Sequence, residues 1–280
     1  MVVLSGFADE ISADLKEQLK VLESEQISYL ELRGVWSKNV LELTDVELQQ
    51  VKSELDRQGF RVSSIGSPIG KIGINDDFQK HLVKFERAIH VAKMFQVPYI
   101  RIFSFFISDG ENPDKYRTAV INKMKTLSTI AERENIALLH ENEKGIYGDT
   151  AERCLDILES IQSPNLKCAF DPANFIQCGV KPLQAFQLLE KYIEYMHIKD
   201  AKEETGKVVP AGEGEGKLEE ILKALYTRGY NGFLSLEPHL SAVGTYSGYS
   251  GPDLFKIASQ SLKKVIKNVD EEWMHTSVSL

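Results

Sequence analysis

Short apolar runs and longer amphipathic stretches alternate along the whole chain. The runs lie at 2–7, 28–33, 61–66, 99–104, 136–141, 167–171, 194–198 and 233–237. They favour β-branched and aromatic residues and are often flanked by Gly, Pro, Asn or Asp, which predicts strands. Between them, apolar residues recur at helical spacing at 12–25, 44–58, 77–95, 113–134, 149–161, 181–191, 217–228 and 252–268. In the first of these, Leu15, Leu19 and Leu22 share a face behind Ser12, which predicts an N-cap at Ser12. Thr44 and Glu47 are spaced as a capping box, and Phe78, Leu82, Phe85, Ile89 and Ala92 line one face of the third helix.

Strand–helix pairs in strict alternation imply parallel strands joined by helical crossovers. Eight such pairs close a barrel. An open doubly wound sheet would want a Gly-rich phosphate loop after its first strand, and GFADEIS is not one. No linker of Pro, Gly and Ser divides the chain. The expectation is an α/β protein: one (β/α)8 TIM-barrel domain over 1–268, followed by a short tail over 269–280.

Charge and cysteine content narrow the function classes. A net charge of −8 argues against nucleic acid as a partner, because backbone phosphates demand a basic footprint. Three cysteines without a CxxC pair argue against a disulfide framework or a thiolate zinc site. With no basic, apolar leader at the start and no run long enough to span a bilayer, the expected location is cytoplasmic, away from membranes.

Four of the later runs end on a residue that binds divalent metals. These are Glu141 in ALLHE, Asp171 in LKCAFD, His197 in EYMHI and Glu237 in GFLSLE. Each lies roughly one strand–helix unit from the next. In a barrel, strand C-termini share one mouth, so the four side chains converge. Two Glu, one Asp and one His form an oxygen-rich set suited to one Mn²⁺, Mg²⁺, Co²⁺ or Zn²⁺ ion. Glu141 shares the parity of Ala137 and Leu139, which points it inward, while His140 faces the helices. Around the set, Arg33, Asn174, Lys199 and Glu143 are candidate substrate contacts, and Arg101, mid-strand, reads as a structural ion pair. His239 is expected at the rim. The segment VVPAGEGEGKL reads as a flexible loop whose acids approach the site.

HENE, FDPAN, MHIKDA, PAGEGEG and SLEPH together resemble the xylose-isomerase-like barrel superfamily of sugar phosphate isomerases and epimerases. Carried over by position, the resemblance implies that Glu141, Asp171, His197 and Glu237 are the metal ligands and that Glu141 and Glu237 are also the catalytic acid/base pair. It implies proton transfer through a metal-stabilised enediolate of a sugar or sugar phosphate, a small-molecule carbohydrate partner, and a homo-oligomer as a common state. Asn174 stands where epimerases usually have His, which departs from their substrate contacts. Two alternatives stay open: a dehydratase or lyase of a polyhydroxylated ring, of inosose or dehydroshikimate type, and a sugar-binding barrel without turnover. The endonuclease branch of the superfamily needs three zinc ions and several further His and Asp ligands; none of the six histidines here lies at the ends of strands 3 or 4, and Asn174 replaces another expected His.

Overall fold

A computed structural model describes residues 1–240 and 250–270. Eight parallel strands stand in chain order: β1 (Val3–Gly6), β2 (Tyr29–Leu32), β3 (Arg61–Ile69), β4 (Tyr99–Ile102), β5 (Ala137–Glu141), β6 (Leu166–Phe170), β7 (Ile193–Ile198) and β8 (Phe233–Leu236). From β2 to β8 each strand pairs with the next in sequence, and β1 pairs with β8. Between β1 and β2 there is a single bridge, Phe7 to Glu31, which all but closes the barrel.

The helices are α1 (Leu15–Ser24), α2 (Asp45–Gln58), α3 (Phe78–Met94), α4 (Arg117–Arg133), α5 (Ala151–Ile161), a short α6 (Pro172–Gln177), α7 (Pro182–Leu189), α8 (Leu218–Thr227) and α9 (Pro252–Val269). The capping box of α2 forms as its sequence predicts. The cap of α1 does not: Asp14, not Ser12, accepts the Glu17 N–H, while Ser12 Oγ accepts the Asp14 N–H one step earlier. Of the expected tail, 271–280 lies outside the described residues. No described helix is long and apolar enough to cross a membrane.

Strand alternation sorts side chains into two compartments. One set, including Leu30, Leu32, Ile100, Ile102, Leu138, Phe170, Met196 and Leu234, forms a continuous apolar cluster with helix residues such as Leu22, Leu55, Phe85, Leu127, Leu225, Phe255 and Leu262. The other set fills the lumen. It begins with a small cluster of Leu139, Ala169 and Tyr195 flanked by Tyr99 and Phe233, and turns polar toward the strand C-termini. On β2 the lumen face reads Tyr29, Glu31, Arg33, and on β7 it reads Tyr195, His197, Lys199.

Candidate metal centre

Glu141, Asp171, His197 and Glu237 are all buried, and one ligand atom from each lies within 4.8 Å of the others. They come from β5, the β6–α6 junction, β7 and the end of β8. Asp171 is fixed on both sides. Its backbone N–H donates to Asn142 Oδ1 (3.0 Å) and its carbonyl accepts from Asn142 Nδ2 (2.9 Å). As the N-cap of α6, its Oδ1 accepts the Asn174 N–H (2.9 Å), so Oδ2 is left facing the cluster. Pro172 at the first helical position suits this arrangement.

His197 Nε2 donates to Glu31 Oε2 (3.1 Å), so Nδ1 faces Glu141 Oε1 (3.1 Å) and Glu237 Oε2 (3.9 Å). Among the described residues, buried Nδ1 makes no hydrogen bond, and buried Asp171 Oδ2 meets only the Lys199 ammonium, as an ion pair. A buried nitrogen without a hydrogen bond is rare, and one nitrogen and one carboxylate oxygen turned toward two further carboxylates fit a divalent ion.

The cations predicted nearby are present. Lys199 Nζ lies 3.0 Å from Asp171 Oδ2 and 3.1 Å from Glu237 Oε2. Arg33 forks between Asp9, Glu10 and Glu237 (2.7, 2.7 and 3.3 Å). Asn174 Nδ2 donates to Glu141 Oε1 (3.2 Å) and to the Asn142 carbonyl (2.9 Å). Glu143 is different: it pairs with Lys71 at 2.7 Å, outside the ligand cluster.

The model of the xylose isomerase-like TIM barrel family matches residues 23–265. The chain belongs to that family. Among its relatives, the 3-dehydroshikimate dehydratase of Bacillus anthracis is 24% identical over 249 residues, spanning 81% of this chain and 83% of that protein. A probable L-ribulose-5-phosphate 3-epimerase of Mycoplasma pneumoniae is 23% identical over 192 residues, spanning 66% of this chain and 63% of that protein. The crystal structure of an IOLI protein with a binding zinc atom superposes with a TM-score of 0.75 at 18% identity, over 97% of this chain and 99% of that one. At that identity the likeness shows the fold.

Within this family barrel, burial and the cations already in place set the charge of the cluster. Burial would raise Glu141, but His197 and then Arg101 outweigh it and bring the carboxyl down to about 2. Burial likewise opposes the charged form of Glu237, yet Lys199, His239, His197 and Arg33 hold it well below the usual carboxylate range. Asp171 is pushed up to about 6, by burial first and by Glu237 and Glu141 in addition, with Lys199 offsetting part of this. His197 is desolvated, but Glu141 and Glu31 hold it well above its ordinary value.

Three expectations change. Arg101 is a site residue as well as a structural one: it donates to Glu141 Oε2 (3.1 Å), and its guanidinium stacks near the Phe7 and Phe103 rings. The Gly-rich segment is pinned in place by Asp200, whose carboxylate accepts the backbone N–H of Ala201, Gly212, Gly214 and Gly216 at 2.8–3.0 Å. A Cβ at Gly214 would fall 2.3 Å from Asp200 Oδ1, so this approach requires glycine. Of the loop acids, Glu215 turns to Lys202 (3.7 Å) and to the Glu203 N–H (2.7 Å) instead of to the ligands. His239, expected only at the rim, reaches Glu237 Oε1 at 3.3 Å and Glu10 Oε1 at 3.2 Å.

Sequence reasoning missed Glu31, Glu10 and Asn142. Glu31 had a signal: an acid in the middle of a strand, with the parity of Arg33.

Proposed function

We propose that the protein is a divalent-metal-dependent isomerase or epimerase of a sugar or sugar phosphate. The observation that carries this reading is the presence of two buried carboxylates, Glu141 and Glu237, within one ligand-capable cluster but on different strands. A divalent ion held by Glu141, Asp171, His197 and Glu237 would polarise a carbonyl and its neighbouring hydroxyl, easing loss of the proton between them. One glutamate then takes that proton and the other returns it. Arg101 and Asn174 orient Glu141, and Arg33 and Lys199 orient Glu237. Lys199, Arg33 and Asn174 are also placed to hold substrate oxygens. Mn²⁺, Mg²⁺, Co²⁺ and Zn²⁺ all suit the donor set.

A dehydratase or lyase is the second reading. It starts with the same proton abstraction and adds the loss of a hydroxide. The contact of His239 with Glu237 favours it by placing a second proton donor at the mouth, and so does the match to a 3-dehydroshikimate dehydratase.

The test is a screen of ketoses, their phosphates and polyhydroxylated rings in deuterium oxide. An isomerase or epimerase incorporates deuterium at the carbon beside the carbonyl, and a chelator abolishes the exchange. A dehydratase yields a dehydrated product. Binding without exchange or product would sink both readings and leave a sugar-binding barrel.

A further inference from the structure

Glu31 lies fully buried on the lumen face of β2. A buried carboxylate is costly unless donors hold it. Its Oε2 has two: Ser235 Oγ at 2.8 Å and His197 Nε2 at 3.1 Å. Ser235 and His197 are register partners on β8 and β7, so the carboxylate reaches two adjacent strands across the lumen. The β2–β3 register slips between Leu30 and Glu31, an irregularity of the kind that re-aims a side chain beside a site.

This contact decides the chemistry of the imidazole. An ionised carboxylate only accepts, so Nε2 keeps its hydrogen, and the proton that the ring gives up on binding an ion leaves Nδ1 with the lone pair. Nδ1 is the nitrogen that faces Glu141 and Glu237 and makes no hydrogen bond among the described residues. The ring is also held by edge contacts with Phe7 (5.2 Å) and Tyr195 (5.7 Å), which restrict its tilt but carry no preference between the two nitrogens.

We propose that Glu31 is the positioning residue of the metal centre, fixing the His197 tautomer so that Nδ1 is the ligand atom and raising its basicity. The assignment rests on the metal reading of the four-residue cluster. Partners of this kind behind a metal-bound histidine commonly change metal affinity about 10- to 100-fold.

The experiment titrates the full chain, wild type and Glu31→Gln, with Zn²⁺ after chelator treatment, and records melting temperatures without metal. The expected result is Zn²⁺ affinity about 10- to 100-fold weaker in Glu31→Gln, at a melting temperature close to that of wild type. Imidazole ¹⁵N spectra of Zn²⁺-loaded wild type supply a readout that needs no variant: His197 shows a metal-bound Nδ1 and a protonated Nε2. Equal affinity in the two chains, or a metal-bound Nε2, overturns the role of Glu31. A wild type that takes up no ion instead removes the metal centre itself.

Discussion

His140 and His197 are both buried, on strands of one barrel, yet their surroundings are opposite. His140 has the opposite parity, turned from the lumen, and neither ring nitrogen has a hydrogen-bond partner among the described residues; burial, partly offset by Glu141, brings it down to about 4, so it stays neutral. His197 faces the lumen between Glu31 and Glu141 and is held well above its ordinary value. Burial is common to both; the side of the strand decides the outcome. One parity delivers side chains to an apolar jacket that stabilises the fold. The other delivers charge to a site where stability is given up for chemistry.

Breaking the lumen should therefore cost activity, and breaking the jacket should cost stability. The largest effect is expected for Glu237→Gln: turnover, read as metal-dependent deuterium exchange, falls by about 10²- to 10⁴-fold while the chain still melts cooperatively. Activity near that of wild type would remove Glu237 from the acid/base pair. In the jacket, Leu262 is fully buried. Leu262→Ala is expected to cost about 2–5 kcal/mol in denaturant unfolding, with metal affinity unchanged. A change in affinity would mean that the two compartments are coupled.

The histidine pair itself can be tested by pH. The folded value of His140 is depressed below that of the unfolded chain, so its contribution is present above the unfolded value of about 6.5 and is lost as the pH falls toward 4. That loss is about 3 kcal/mol. His140→Leu should flatten the pH dependence of unfolding in this window, and an unchanged slope would show that the ring is not held neutral. The smallest effect is expected at Asp171. Raised to about 6, it must release a proton before it binds a cation. Metal affinity should weaken by up to about tenfold per pH unit below that value, and calorimetric titration at several pH values measures it.

The eight strand–helix units were legible because both periodicities run the length of the chain. The clustering of Glu141, Asp171, His197 and Glu237 was legible because a barrel gathers its strand ends. Glu31 was harder: its meaning depends on His197 and Ser235, which are distant in sequence and meet it only across the lumen. Asp200 was invisible as an anchor because its partners are backbone N–H groups, which carry no side-chain signal, although the repeated glycines of GEGEG mark the close approach. His239 was read as a rim residue because alternation ends at Pro238. Its left-handed backbone, φ 44°, accompanies the contact with Glu237.

A divalent ion in the lumen would sit on Glu141, Asp171, His197 and Glu237. Titration of the chelator-treated chain with Mn²⁺, in parallel with Asp171→Asn, tests it most directly. One ion per wild-type chain is expected, with binding at least about tenfold weaker in the variant, since even a partner behind a ligand is worth that much. No uptake by wild type, or equal uptake by both chains, would contradict it.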